Sequence, residues 1–314
     1  MLSTAGLQIL NAVVDSQTAT PAELAEKTAY SQQHLYDVLD QLVDAGLLTE
    51  SRGQYNQRQV RATSHPVVDT YRQLTTALGH VEWADLLSPA TLRVCWYLNT
   101  PRRVTTIADR LGISRQAVHE ALDPLKHRAM LSPSGPTYAL VEDLEPLLAF
   151  SRAVVRHTHQ QRLHEHAPSG TIAWCDPVRA LVQVQTEADT DTLAATDDWE
   201  LTGLARFADY DLQFFLAGEP PFWYSPEPLD IADLVCHTLR IDSGARRVSY
   251  VVLLLAATDV SKGTLQERAQ WYDLDEEIKA VCEYHTTGRI PEQSPIQLPS
   301  PQEFDSLKTQ YDIQ

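Results

Sequence analysis

The amino-acid sequence predicts an α+β fold in which two similar helical modules, each closed by a pair of strands, precede a C-terminal α/β domain. The first observation is an internal repeat, because residues 24–55 align without gaps with residues 107–138. The second is that each copy combines apolar residues at helical spacing with two short apolar segments around a polar turn. The third is a mixture of strand-like and helix-like segments after residue 170. A chain of 314 residues can hold two or three such domains.

The repeat predicts two consecutive helices joined by a short turn. The first copy reads LAEKTAYSQQHLYDVLDQLVDAGLLTESRGQY and the second reads IADRLGISRQAVHEALDPLKHRAMLSPSGPTY. Ser31 and Ser114 occupy matching positions and are natural N-caps for the second helix of each pair. Gly112 suits the turn before that cap, and the small side chains of Ala25 and Ala108 suit a close helix crossing. The leucines of the first copy, at helical spacing, are expected to face one core: Leu24, Leu35, Leu39 and Leu42.

Strands and a further helix complete each module. After the second helix the first copy has Leu47-Leu48 and a polar SRGQ turn, and the second has Met130-Leu131 and an SPSGP turn, which predicts two strands joined by a wing. Residues 7–14 and 92–98 are expected to supply the first helix of each module. The domain boundaries follow as 1–65 for the first module, 66–87 for a linker helix and 88–140 for the second module.

The two modules together resemble tandem winged helix-turn-helix domains of the MarR and ArsR type, over residues 3–62 and 88–140. This resemblance implies a homodimer that regulates transcription, most simply as a repressor, by placing the second helix of each module in the major groove of double-stranded DNA. The first residues lack the charged segment and cleavage site of a signal peptide, so a cytoplasmic location is expected. The low lysine content, five Lys against twenty Arg, also resembles that of haloarchaeal proteins.

The exposed positions of the predicted groove helices are the candidate DNA-binding residues. Arginine can bind guanine and glutamine can bind adenine through paired hydrogen bonds, and basic residues nearby can bind phosphates. In the second module the candidates are Ser114, Arg115, Gln116 and His119, with Arg102, Arg103, Lys126 and Arg128 for phosphates. In the first module they are Ser31, Gln32, Gln33 and Tyr36, with Arg52, Gln54, Arg58 and Arg61 on the wing. Because Asp37, Asp40 and Asp44 make the first groove helix acidic, that module could instead mediate protein contacts.

The charge is distributed unevenly along the chain. The net charge is −17, yet residues 88–140 carry seven basic and three acidic residues, whereas residues 171–314 carry ten basic and twenty-five acidic residues. At high salt concentration electrostatic steering is screened, so a DNA-binding protein need not be basic overall. The acidic C-terminal part is expected to bind a protein partner or a small ligand rather than nucleic acid.

Residues 141–170 are predicted to form a second helix and linker, residues 171–290 an acidic α/β domain, and residues 291–314 an irregular tail rich in proline. The domain is expected to contain strands at 172–174 and 180–184, a central strand at 248–257, and helices at 230–239, 265–272 and 276–284. Within residues 195–285, three segments resemble the C-terminal part of AbiEi-type antitoxin regulators: TGLARFADYD, IADLVCHTLR and RRVSYVVLLLA. That family usually carries one winged helix, and this chain has two.

Other classes of function have weaker support in the sequence. No cofactor or metal site and no catalytic residue is expected, because no phosphate-binding loop or serine-nucleophile motif is present. The histidines at the end of the second linker helix, His157, His159, His164 and His166, are expected to be solvated, with a metal site as the alternative. Three aspartate pairs lack the preceding Gly-Ser pair of nucleotidyltransferases: Asp209/Asp211, Asp189/Asp191 and Asp273/Asp275. No apolar segment suggests a membrane span. The alternatives to a regulator are an antitoxin-type or a plasmid or virus maintenance protein.

Overall fold

The computed structural model describes residues 2–16, 18–53, 56–214 and 218–313. Within these ranges the chain is mixed α+β, with three small antiparallel sheets, as the sequence predicted at this level. The chain divides into two compact units, Met1–Gln161 and Arg162–Gln314.

In the first module, three helices are followed by a two-stranded hairpin. The helices are α1 (Thr4–Val14), α2 (Pro21–Thr28) and α3 (Gln32–Asp44), and the strands are β1 (Leu48–Arg52) and β2 (Arg58–Ala62). The strands pair antiparallel with Glu50 opposite Val60. Gln54 and Tyr55, which the repeat assigned to the wing, lie outside the described residues.

Polar caps fix where the helices of the first module begin. The Thr20 hydroxyl accepts from the backbone N–H of Glu23 at 3.3 Å, and the Glu23 carboxylate accepts from the backbone N–H of Thr20 at 2.7 Å, which is a capping box. The Ser31 hydroxyl accepts from the backbone N–H of His34 and starts α3, as predicted. Between them α2 ends at Ala29, whose φ of 55° lies in the left-handed region.

Two helices, and not one, connect the modules. They are α4 (Pro66–Ala77) and α5 (Trp83–Leu86). The prediction of a single helix over 66–87 was therefore wrong. Leu78 leaves the helical conformation at φ −133° and ψ 57°, and the Gly79-His80 segment that follows has low helix propensity. Tyr71 of α4 is fully buried and its hydroxyl donates to Asn11 Oδ1 at 2.9 Å, which ties α4 to α1.

The second module repeats the order of elements of the first and adds one short strand. Its elements are α6 (Pro89–Cys95), β3 (Arg102–Arg103), α7 (Val104–Leu111), α8 (Arg115–Lys126), β4 (Leu131–Ser134) and β5 (Thr137–Leu140). The strand order is β3-β5-β4, so β5 is central. Gly112 ends α7 with a φ of 64°, and the Ser114 hydroxyl caps α8 by accepting from the backbone N–H of Ala117 at 3.1 Å.

The apolar residues that define the repeat form the cores of the two modules. None of the following is more than 4% exposed, so the helical periodicity located the buried faces correctly: Leu24, Leu35, Leu39, Leu42, Ile107, Val118, Leu122 and Leu125. Ala108 is also buried, whereas Ala25 is only half-buried.

After β5, a short 3-10 helix (Glu142–Leu144) leads into α9 (Glu145–His164), and the division between the two units falls within α9. The histidines of α9 are not uniformly solvated. His159 is 2% exposed, and the half-buried His157 ring packs edge-on against the ring of His65 with centroids 4.6 Å apart. The expectation of a solvated helix end was therefore wrong for these two residues, because α9 packs an apolar face that includes them, whereas His164 is exposed.

The second unit opens with a four-stranded antiparallel sheet of order β6-β7-β9-β8. Its elements are β6 (Thr171–Cys175), β7 (Ala180–Gln183), α10 (Glu187–Ala194), β8 (Trp199–Leu201), a 3-10 helix (Gly203–Tyr210) and β9 (Pro221–Tyr224). One face of this sheet packs Ile172, Val182 and Phe222 against Leu163 and Leu193 in a buried cluster. The strands predicted at 172–174 and 180–184 are thus present.

Helices make up the rest of the second unit: α11 (Ile231–Ile241), α12 (Ala245–Ala257), α13 (Lys262–Tyr272), α14 (Asp275–Thr287) and α15 (Pro301–Gln310). The central strand predicted at 248–257 was wrong, since this segment lies in α12. Residues 251–255 are all buried, so the helix is apolar on nearly every face and its sequence shows no helical periodicity. The irregular tail was wrong for α15, which the sequence SPQE starts through a capping box between Ser300 and Glu303.

Candidate functional site

The turn between α7 and α8 presents the first turn of α8 to solvent. Gly112 takes the left-handed conformation that ends α7, and the Ser114 hydroxyl caps the N-terminus of α8. Arg115 and Gln116 follow immediately and are both exposed, while His119, one turn later on the face of Arg115, is half-buried. The start of α8 thus combines exposed side chains with the positive end of a helix dipole.

Three predicted arginines of the second module have no partner among the residues that the structure describes. Arg103 on β3, Arg115 on α8 and Arg128 just after α8 are exposed, and no ion pair or hydrogen bond joins their guanidinium groups to another described residue. Arg102 beside them is half-buried. Charged groups that are free of internal ion pairs can bind an external anion without first losing a partner.

Other predicted residues of the second module are already engaged. The Gln116 amide donates to Glu120 at 3.1 Å. The Lys126 ammonium lies 3.0 Å from an oxygen of Asp123, 3.3 Å from His119 Nδ1 and 5.2 Å from the centre of the Tyr138 ring. Among the predicted groups of α8, Arg115 is therefore the most available, and the Gln116 amide is restrained by its bond to Glu120.

The equivalent surface of the first module is more acidic, and several of its polar side chains are bonded to neighbouring residues. Ser31 caps α3, Gln32 is exposed, and Gln33 donates to Asp37 at 3.1 Å. Tyr36 is 40% exposed, and the Arg58 guanidinium lies 5.5 Å from its ring centre.

Arg58 is held by acidic neighbours. Its guanidinium lies 2.6 Å from Asp40 and 2.9 Å from Glu50, and its side chain is only 15% exposed. Partial burial lowers the pKa of Arg58, but the hydrogen bond and charge of Asp40, with those of Glu50, outweigh it and raise the pKa above its ordinary value. Arg58 is thus a link between α3 and the hairpin, which its sequence position did not indicate.

The other wing arginines are more available. Arg52 and Arg61 are exposed. Arg52 makes a long contact of 3.4 Å with the backbone oxygen of Asn56, and Arg61 has no partner among the described residues. Gln54 lies outside the described residues. Two of the three described wing arginines can therefore reach an external anion.

Three aspartates from the pairs considered for a nucleotidyltransferase site have local structural roles. Asp189 is buried in α10 and accepts from the backbone N–H of Ser169 at 2.8 Å, and Asp209 pairs with Arg206. Asp211 ends the 3-10 helix in a left-handed conformation. Among the described residues, no group of three or more His, Cys, Asp or Glu side chains has the geometry of a metal site.

A buried polar chain in the second unit was not anticipated. His237, 0% exposed, bonds Thr202 through Nδ1 at 2.6 Å and the Tyr272 hydroxyl through Nε2 at 2.8 Å. Tyr272 donates to Asp233 at 3.1 Å, and the Arg268 guanidinium lies 3.1 Å from the same carboxylate. Burial lowers the pKa of His237 to about 3 and raises the pKa of Asp233 to about 6. The capping box that Asp230 and Asp233 form at the start of α11 is a local signal for one end of this network.

Comparison with known proteins adds one match, in the second unit. The family model HVO_2833_C, described as C-terminal, matches residues 196–313, which include β9 and α11 to α15. The chain is therefore similar over this part to the C-terminal domain of a haloarchaeal protein. No curated protein matches the chain. The described helices include none with both the length and the apolar character needed to cross a membrane.

Proposed function

We propose that the protein is a sequence-specific DNA-binding transcriptional regulator, most simply a cytoplasmic repressor, whose two N-terminal modules are tandem winged helix-turn-helix domains. The observation that carries the proposal is the exposed first turn of α8, where Arg115 has no partner within the described part of the chain. It occurs in a helix-turn-helix-hairpin arrangement that is present twice in one chain.

The chemistry of α8 suits the major groove. An α-helix fits this groove, and the N-terminal residues of the second helix contact the base edges. Arg115 can donate two parallel hydrogen bonds to O6 and N7 of guanine, and Gln116 can bind adenine if it releases Glu120. Arg103 and Arg128 are free to bind the flanking phosphates.

The first module is proposed to bind DNA more weakly and to orient the chain on it. Arg58 is engaged by two carboxylates, and Asp37, Asp40 and Asp44 would repel phosphates along α3. The exposed Arg52 and Arg61 on the hairpin remain able to contact the backbone of the DNA. Two modules of unequal strength would give one strongly specified half of the binding site and one loosely specified half.

The strong negative charge of residues 171–314 keeps the second unit away from DNA phosphates and favours a protein partner or a small ligand there. A homodimer would place four modules on a long operator with repeated half-sites. The excess of acidic residues also fits a salt-rich cytoplasm, in which counterion release adds little affinity.

The experiment is a fluorescence anisotropy titration of the full chain in molar KCl, with DNA from upstream of its own gene and a shuffled duplex of equal composition. We expect tighter binding to the upstream DNA, and loss of about 1–3 kcal/mol of that preference in Arg115→Ala. Arg152→Ala is the matched control, because Arg152 on α9 is exposed and has no partner among the described residues. Equal effects of the two substitutions would contradict the assignment of α8.

A further inference from the structure

A pocket of about 340 Å³ lies inside the first unit, between α1, the C-terminal half of α3, and α9. Its volume is within the range of small-molecule sites, roughly 300–1,000 Å³. Leu2, Val38, Leu42 and Leu47 supply apolar wall, so the pocket offers a hydrophobic body to an incoming molecule.

The polar part of the wall is mostly uncharged. Ser3, Gln41 and Gln161 contribute hydroxyl and amide groups, and none of the described lining residues is Lys or Arg. The one carboxylate, that of Asp44, belongs to an exposed residue and would repel an anion. An anionic ligand would therefore lose its hydration without gaining a side-chain counter-charge.

His157 completes the wall with a neutral imidazole. Burial, together with the neighbouring His65, lowers the pKa of His157 to about 4, so the ring carries no charge at neutral pH. Its Nε2 has no hydrogen-bond partner among the described residues, and buried polar atoms of this kind usually have one.

From the volume, the mixed wall and the absence of lining cations, we propose that this pocket binds an uncharged amphipathic organic molecule. The apolar part would lie on the leucines, and a neutral donor or acceptor group would face the amide and hydroxyl groups. Binding would fix α3 against α1 and α9, since all three contribute to the wall. A ligand that fixes α3 would also change DNA binding by the first module. This regulatory part of the proposal rests on the proposed function.

The test uses two fluorescent probes with the same carbon skeleton and different charge. N-phenyl-1-naphthylamine is uncharged, and 1-anilinonaphthalene-8-sulfonate is its anionic counterpart. Each is titrated into the full chain without DNA in molar KCl. We expect saturable binding of one neutral probe per chain and at least tenfold weaker binding of the sulfonate.

Two substitutions fill the pocket from two different elements of its wall. Ala45→Leu enlarges a lining residue with an ordinary right-handed backbone, and Gln161→Trp does the same from α9. Ala77→Leu, at an exposed position near the end of α4 and away from the pocket, is the control. Circular dichroism checks that each variant is folded. We expect at least a tenfold loss of neutral-probe affinity in both filled variants and none in the control.

The outcomes separate the ligand site from the regulatory role. Equal affinity for the two probes, or unchanged binding in both folded, filled variants, would overturn the site. Probe binding with a threefold or larger change in DNA affinity would support both parts. Probe binding without such a change would overturn the regulatory role alone, and probe binding by a chain that shows no DNA preference would overturn the proposed function while the ligand site stands.

Discussion

The Asp233 carboxylate is expected to make the second unit less stable at neutral pH than at mildly acidic pH. It is buried between Tyr272 and Arg268, and burial, only partly offset by Arg268, raises its pKa from 3.8 to about 6. The folded state therefore binds a proton more tightly than the unfolded state. The favourable contribution is fully present below pH 4 and is lost as the pH rises through about 6.

The magnitude follows from the size of the shift. One pKa unit corresponds to about 1.4 kcal/mol, so a shift of this size is worth at most about 3 kcal/mol in the free energy of unfolding. Asp233→Asn replaces the carboxylate with a neutral amide of the same shape. We expect the free energy of unfolding of the variant to lack the pH dependence that Asp233 contributes. This expectation holds whatever the stability of the variant at a single pH.

Denaturant unfolding at fixed molar KCl, between pH 4 and 7.5, measures this effect. Trp174 is a suitable reporter, since its ring centre lies 4.6 Å from that of Tyr272. The decisive quantity is the stability difference between the original chain and Asp233→Asn, which should fall as the pH rises from 4 to 6 and then level off. Asp259→Asn, at an exposed position, is the control. A difference that rises with pH, or that matches the control, would refute the assignment of Asp233 as a carboxylate destabilised by burial.

Further predictions concern the two modules. Ala29 and Gly112 occupy equivalent left-handed positions, with φ of 55° and 64°, so Ala29→Gly should raise and Gly112→Ala should lower the free energy of unfolding by about 1 kcal/mol each, measured by thermal unfolding; the same sign for both would be inconsistent with this. Arg58→Ala should destabilise the chain by about 1 kcal/mol because it unpairs Asp40 and Glu50, whereas Arg61→Ala should leave stability unchanged; equal unfolding midpoints would argue against the link. Leu39→Ala and Leu122→Ala remove equivalent, fully buried side chains and should each lower the free energy of unfolding by about 2–5 kcal/mol, measured by denaturant unfolding. A loss of this size in only one of the two variants would contradict the equivalence of the two cores.

The sequence predicted the two N-terminal modules well because their signals are local. The serine caps and the leucines at helical spacing locate α2, α3, α7 and α8 without knowledge of tertiary contacts. Each of these residues acts on groups three or four positions away, and for this reason a gapless repeat was enough to find them.

The second unit was predicted less well because its signals depend on tertiary packing. In α12 the five consecutive residues 251–255 are all buried, so this segment lacks the periodicity that separates helix from strand. The network of His237, Asp233, Tyr272 and Arg268 joins residues 35–39 positions apart on α11 and α13, and no local pattern indicates such a pairing.

Among the candidate DNA-binding residues, too, some features follow from the local sequence and others depend on tertiary contacts. Exposure of Arg115 follows from its place beside an N-cap. The engagement of Arg58 by Asp40 and Glu50, however, requires the register of the hairpin against α3, which the sequence did not define. The pocket beside His157 depends on α9 meeting α1 and α3, three elements that are far apart in the chain.

Selection from a random-sequence DNA pool in molar KCl tests sequence-specific recognition by α8 most directly. We expect the full chain to enrich one motif containing a guanine that is essential for binding. Arg115→Ala should lose the preference for that guanine and keep the rest of the motif, whereas Arg152→Ala should retain the complete motif. Enrichment of no motif by the folded chain, or an identical motif for Arg115→Ala, would contradict DNA recognition through α8.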